Sequence, residues 1–230
     1  MSEADEQPRD LEFDIVDVDV RAWVEASRAD PTRYRDRQVT EIVLTAIGLA
    51  PSLHANLVLK GGAAMALAFK SIRVTGDVDF TSMVEPAYLA EKLAPELNDL
   101  LPKTAITLGY LDLLCQVQSV KKMPRAENFE DHAFPALRVR IGSAKRGTAE
   151  ATKLVEGKAS RVLDVEISFR DHVYNFQELN LIGAGVAVRA FTIHELVAEK
   201  FRALLQQPVR KRNRRQDVYD IAFLLSLIHI

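Results

Sequence analysis

Two stretches decide the reading of this chain: Asn56-Leu57-Val58-Leu59-Lys60-Gly61-Gly62 and Arg73-Val74-Thr75-Gly76-Asp77-Val78-Asp79-Phe80. The first reads as a short buried strand, a sharp turn at the glycine pair and an alanine-rich helix start over residues 63–69. The second reads as another strand. Residues i and i+2 of a strand point to the same face, so Asp77 and Asp79 aim two carboxylates at one spot. A strand interior disfavours Asp, and paired like charges repel. A divalent cation would relieve that repulsion, and Mg²⁺ typically takes one or two carboxylates together with substrate phosphates. Gly61-Gly62, between strand and helix, would let backbone N–H groups approach a phosphate without side-chain hindrance.

Further along, Asp164-Val165-Glu166 repeats the pattern inside a strand predicted over 161–169. A third carboxylate from a neighbouring strand would complete a two-metal site. A lone Asp-x-Asp is usually a surface turn or a cap. The glycine pair before it and the Asp-x-Glu after it raise its weight, because all three belong on adjacent elements of one sheet.

The rest of the chain frames these motifs. A formal net charge of −2 excludes a globally basic nucleic-acid binder and leaves room for local basic patches. With 48% hydrophobic residues the chain can fill a core. Cys115 is its single cysteine, so no intrachain disulfide can form, as expected in a reducing compartment. The first 30 residues are acidic, and no run approaches the ~20 apolar residues of a membrane span. A cytoplasmic protein without membrane contact is expected.

Residues 1–12 read as a flexible tail and 16–29 as a helix ended by Asp30-Pro31. A second helix is expected over 34–49, stopped by Pro51, and a third over 86–100, ending near Pro102. Residues 105–141 look β-rich, 142–158 a polar loop, and 186–190 a strand. Thr192 and Glu195 sit as a capping box at the start of a helix running to about Gln207. A last helix spans 216–227, with Tyr219 and Phe223 on its apolar side. The order implies an α+β fold, a mixed sheet flanked by helices, with a core over 13–190 and a helical part over 191–230.

The ordered motifs resemble those of the AbiEii/AbiGii family of type IV toxins, which includes the mycobacterial MenT toxins and belongs to the nucleotidyltransferase superfamily. Lys60, Gly61, Gly62, Arg73, Thr75, Asp77, Asp79 and Phe80 fit its first motif. Glu195–Leu205 (ELVAEKFRALL) is similar to its lysine-bearing helix, and Arg215–Leu225 (RQDVYDIAFLL) to its last helix. The resemblance covers roughly 38–85 and 160–227. It implies Mg²⁺-dependent (or Mn²⁺-dependent) transfer of a nucleoside monophosphate from an NTP, with the tRNA 3′ end as acceptor and a cognate antitoxin as partner. Asp77 and Asp79 would hold metal, with Glu166 as third carboxylate or support. Lys200 would contact the triphosphate, and Asp217 or Asp220 would orient it. Lys60, Gly61, Gly62, Thr75 and Arg215 would lie at the nucleotide, and Thr75 is where some relatives are modified by a partner. The family's Arg-Asp pair is Arg215-Gln216-Asp217 here, one residue longer, which leaves Asp217 and Asp220 both open.

Other readings stay in view. The acceptor could be a protein or a small molecule, or the chain could be a catalytically silent binder; retention of every motif residue argues against the last. The basic runs at 210–215 and at Arg138, Arg140, Lys145 and Arg146 suit either solvent or an RNA backbone. The five histidines have no zinc spacing, Cys115 reads as core, and Trp23 reads as packing before base stacking.

Overall fold

The computed structural model describes residues 14–72, 75–126, 128–207 and 215–228. The 1–12 tail, Arg73 and the basic run up to Arg214 lie outside the described residues.

Eight strands form one mixed sheet: β1 (Ile15–Val18), β2 (Leu57–Lys60), β3 (Asp77–Ser82), β4 (Leu113–Met123), β5 (Ala136–Lys145), β6 (Arg161–Ser168), β7 (Phe176–Leu181) and β8 (Val186–Phe191). Their order is β1-β7-β8-β2-β3-β6-β5-β4. β2 is buried throughout and lies inside the sheet, running parallel to β8 and antiparallel to β3. β3 runs parallel to β6 and pairs Asp77 with Asp164 and Asp79 with Glu166. β6 runs antiparallel to β5 and pairs Glu166 with Arg138 and Asp164 with Arg140. Because paired residues share a face, one face of the sheet carries these charges. Val78, Phe80, Val165, Ile167, Leu137 and Val139 point the other way into the hydrophobic core.

The helices are α1 (Val20–Glu25), α2 (Pro31–Leu49), α3 (Pro51–Asn56), α4 (Gly61–Ala68), α5 (Pro86–Thr107), α6 (Ala149–Val155), α7 (Ile193–Leu205) and α8 (Arg215–Ile228). α2 buries an unbroken run from Val39 to Ile47 and packs on α5 and β8. The expected α+β architecture with a mixed sheet is what the chain adopts.

Several boundaries differ from the sequence reading. The segment expected as a 16–29 helix divides into β1, parallel to β7, and the short α1. Asp19 ends the strand and caps α1, its carboxylate accepting from Ala22 N at 2.7 Å. Pro31 and Pro51 open helices where a stop was expected, because proline at the first helical turn loses no hydrogen bond. Asp30 caps α2 by accepting from the N–H groups of Thr32 and Arg33, both at 3.1 Å. α5 runs through Pro95 and Pro102 to Thr107. Each interior proline costs roughly 3 kcal/mol, whereas burying Leu89, Leu93, Leu97 and Leu101 gains about 1.5–3 kcal/mol apiece. Burial outweighs the broken ladder.

The stretch 142–158 is not a loop. β5 continues to Lys145, and α6 packs over it. Gly142 is the reason: a Cβ there would lie 2.6 Å from Ala159 Cβ and 2.7 Å from Leu154 Cδ1. β7, which the sequence did not announce, alternates cleanly but carries a polar residue at one buried position. That residue, Gln177, is satisfied by donating to Phe191 O at 3.0 Å. Cys115 is buried and Phe223 packs on the core as expected, but Tyr219 is 51% exposed, against expectation.

Equilibrium urea unfolding checks the α5 argument. Leu97→Ala should lower stability by about 2–5 kcal/mol. Pro102→Ala should leave stability unchanged or raise it; a fall would contradict the argument.

Candidate active site

Lys60 is the last residue of β2 and pairs across the ladder with Asp79. The chain then turns at once into α4, with Gly61 at φ +64°. A Cβ on Gly61 would stand 2.3 Å from Asp79 Oδ2, and one on Gly62 would stand 2.7 Å from Thr75 Oγ1. The glycine pair therefore lets β3 and its approach press directly against the helix start. No side chain caps α4, so its N-terminal N–H groups are not engaged by a cap. Thr75 Oγ1 in turn donates to Asp77 Oδ1 at 2.9 Å.

Asp79 is an acid held against its own charge. Burial, aided by the neighbouring Asp77, raises its pKa to about 7; Lys60 opposes that rise, and Glu199 and Glu166 add to it. Glu166 sits opposite Asp79 but is half exposed, its carboxylate 3.5 Å from Arg138. Asp164 stands 3.8 Å from Arg140. Among the described residues no three acidic, histidine or cysteine side chains close into a ready-made metal cluster. Asp77 and Asp79 are the pair on one strand face, and Glu166 reaches that face from the adjacent strand.

Behind Asp79 lies a network that the sequence did not reveal. The Lys60 ammonium is 2.5 Å from Asp171 Oδ2 and 3.2 Å from Glu199 Oε1. Burial pulls the Lys60 pKa down, but Glu199 and Asp171 outweigh it and raise the value above the ordinary range. Asp171 also accepts from Ser168 Oγ at 2.5 Å and from the Arg202 guanidinium. Burial pushes the Asp171 pKa up, yet Lys60, Ser168 and Arg202 together hold it well below the usual carboxylate range. Glu195 positions this loop: its Oε1 accepts from Tyr174 N and Asn175 N, both at 3.0 Å. Thr192 Oγ1 accepts from Glu195 N, so the cap is present, but the Glu195 carboxylate serves the loop before β7.

Lys200 is only 8% exposed and lies 3.2 Å from Asp217 Oδ1 and 3.0 Å from Asp220 Oδ2. Both candidate acids of the last helix therefore reach the lysine, and the pair of contacts fastens α8 to α7. These elements enclose a pocket of about 230 Å³. Lys60, Gly61, Asp79, Glu166 and Lys200, all singled out in the sequence, line it. So do Asp171, Glu199 and Arg202, which were missed. Glu199 falls one turn beyond Glu195 and Arg202 about two turns beyond it, on one face of α7, so helical spacing was the available signal. Asp171 has Ser168 close by, but the two cations it holds, Lys60 and Arg202, are distant in sequence. Asp77 lines an adjoining depression with Gly76, Arg138, Asp164 and Glu166. Gly62, Thr75, Asp217 and Asp220 do not line it; Asp217 and Asp220 reach it only through Lys200, and Thr75 lines a separate cavity. Arg215, expected at the nucleotide, is exposed at the first residue of α8 and is not among the lining residues.

Residues 43–230 match the family described as nucleotidyl transferase AbiEii toxin, type IV TA system. The chain belongs to this family. None of the curated proteins compared matches the sequence. Among solved structures, JHP933 from Helicobacter pylori superposes with a TM-score of 0.52 at 16% identity, covering 85% of this chain and 66% of that one. MenT4, a nucleotidyltransferase toxin from Mycobacterium tuberculosis H37Rv, gives a TM-score of 0.46 at 17% identity, covering 79% and 57%. At these identities the likeness to JHP933 is one of fold, and that to MenT4 is too loose to carry an argument. This AbiEii-family chain spans less than two thirds of either neighbour's length. No described helix is long and apolar enough to cross a membrane.

The pKa shifts give opposite pH signatures, both measurable by unfolding in metal-free buffer. The folded-state pKa of Asp79 lies above the ordinary carboxylate value, so the group costs stability as pH rises from about 4 through 7. Asp79→Asn should raise stability at pH 8 by a few kcal/mol at most, and change little at pH 4. Asp171 is depressed, so its contribution is full at neutral pH and fades as pH falls below about 4. Asp171→Asn should cost about 3 kcal/mol at pH 7, since it leaves Lys60 buried with one partner fewer, and less at pH 2. Equal effects at both pH values would contradict the assignment.

Proposed function

We propose that the chain transfers a nucleoside monophosphate from an NTP to a hydroxyl acceptor, as the toxin of a toxin–antitoxin pair. The observation that carries this is the meeting, in one pocket, of the Asp79 carboxylate, the uncapped Gly61 helix start and the cations Lys60, Lys200 and Arg202. The first is suited to metal and the others to phosphate.

Charge counting supports a metal requirement. The pocket lining holds four cations, Lys60, Arg170, Lys200 and Arg202, and four carboxylates, Asp79, Glu166, Asp171 and Glu199. A pocket so balanced has no surplus positive charge for a triphosphate. The donor oxygens of Asp77 and Asp79 fit a hard divalent cation, and the pKa of Asp79, raised first by burial and then by Asp77, expresses a penalty on its charge that such a cation would offset. Asp77 and Asp79 would hold Mg²⁺ or Mn²⁺, with Glu166 swinging from Arg138 to join them. Bound there, a divalent ion supplies charge neutralisation for the transferred phosphoryl group and a more acidic acceptor hydroxyl.

The chain's own groups do the rest. The Gly61 end of α4 offers N–H donors to phosphate oxygens without a Cβ in the way. Lys200, held by Asp217 and Asp220, presents one ammonium at a fixed place on the pocket wall. Asp171 fixes Lys60 and Arg202 together, so that the wall facing the leaving pyrophosphate is preorganised. Phe134 and Pro135 give the same pocket an apolar side for the donor base. An RNA acceptor, with the tRNA 3′ end as first choice, is favoured by the row Glu166–Arg138–Lys121 across β6, β5 and β4, which continues the charged face into a basic one. A cognate antitoxin is the expected partner of a type IV toxin family member.

The test is incubation of the purified protein with Mg²⁺, total tRNA and each α-³²P-NTP in turn. Label should appear on tRNA with one NTP and vanish with chelator. Asp77→Ala and Asp79→Ala should each reduce it by at least about a thousandfold, the scale of losing charge stabilisation at a transferring group. Undiminished labelling by Asp79→Ala would overturn the reading; label on protein alone would replace the acceptor.

A further inference from the structure

Four carboxylates stand on one face of two adjacent strands. Asp77 pairs with Asp164, and Asp79 with Glu166, across the parallel β3–β6 ladder. Neighbouring strands lie about 4.8 Å apart, so these like charges repel. The next strand, β5, sets Arg140 beside Asp164 and Arg138 beside Glu166. The two arginine side chains are equally exposed, at 44%, and stand 3.8 Å and 3.5 Å from their carboxylates. The pairs are alike in kind and differ in place. Glu166 lines both the pocket of Asp79 and the depression of Asp77, whereas Asp164 lines only the depression. Arg138 lines the depression too, and Arg140 lines neither hollow.

In the free protein Glu166 Oε2 faces the Arg138 guanidinium. A divalent cation at Asp79 draws on the same carboxylate, so the two positive charges compete for it. While Glu166 is committed to Arg138 it does not complete the shell of the cation, and apparent affinity falls with the fraction of protein that is competent. The size of that effect is bounded. An exposed ion pair shifts an equilibrium by no more than about fivefold. A weak, exposed pair suits exchange, whereas a buried one would hold Glu166 in place against the cation.

We propose that Arg138 is a displaceable counter-ion, which keeps Glu166 from the Asp77–Asp79 cation until that cation arrives and so sets the affinity of the site. The inference rests on the nucleotidyl-transfer reading above, in which the two aspartates take Mg²⁺ or Mn²⁺. Arg138 is a positioning residue that acts through Glu166. When Glu166 turns to the cation, the guanidinium is released in the hollow that Asp77 lines, so cation binding uncovers a positive group where the free protein holds a neutral pair.

The probe is Mn²⁺ alone, titrated into the whole protein without NTP or acceptor, with free Mn²⁺ followed by its paramagnetic resonance signal. Arg138→Gln should tighten binding about two- to fivefold. Glu166→Gln should weaken it, and adding Arg138→Gln to that variant should then change little. Arg140→Gln removes the same charge at the same exposure without releasing Glu166, so its smaller effect measures bare electrostatics. Arg138→Lys, which restores the charge, should bring the affinity back toward wild type, and circular dichroism checks the fold of each variant. Equal tightening by Arg138→Gln and Arg140→Gln would overturn the proposal. So would tightening by Arg138→Gln that persists undiminished beside Glu166→Gln, or no tightening at all in a folded Arg138→Gln protein. If wild type and Asp79→Ala bind Mn²⁺ alike, the metal reading itself falls, and the counter-ion role with it.

Discussion

The approach of the Asp79 carboxylate to the backbone of Gly61 is the contact on which the site is built. It requires a residue without Cβ, since any other would meet Asp79 Oδ2 at 2.3 Å, and it requires positive φ. Once made, it sets a buried carboxylate beside a second one and beside the start of a helix. The pKa of about 7 is the energetic expression of that arrangement. Lys60, on the neighbouring strand, offsets part of the strain, and its own ammonium is then spoken for by Asp171 and Glu199.

A hierarchy follows. In the proposed reading Asp77 and Asp79 would carry the chemistry and Lys60 and Lys200 would supply charge, and a further ring of carboxylates holds those cations in place. Asp171 joins β2, the end of β6 and α7 through Lys60, Ser168 and Arg202. Asp217 and Asp220 do the same for α7 and α8 through Lys200. Each cation is thus tied to a separate element of the fold, which converts fold stability into site geometry. The internal balance of charge means that a triphosphate gains little by entering alone. On the proposed function, an accompanying divalent cation would tip that balance and couple metal and nucleotide binding.

Residues whose role depends on local spacing were legible in the sequence. Asp77 and Asp79 share a face because strands alternate, and Thr192 announces its helix because a cap bonds three residues on. Glu166 could be placed opposite Asp79 in kind but not in register. Asp171 was invisible, because its importance lies in partners 111 and 31 residues away. The misread boundaries share a cause as well. Pro31, Pro51 and Pro102 read as stops in the sequence, but proline is neutral at a helix start, and in α5 a continuous leucine face overrides it. Gly142 looked like a loop residue and is a glycine of close approach inside a strand.

The central claim is that Asp77 and Asp79 hold a divalent cation against the phosphates of a nucleotide seated on the Gly61 helix start. Anomalous diffraction from crystals grown with Mn²⁺ and a non-hydrolysable NTP analogue tests it directly. The account predicts a manganese peak between the two aspartates, with the analogue's terminal phosphates running toward Lys200. Manganese bound elsewhere, or an analogue lying outside this pocket, would contradict it.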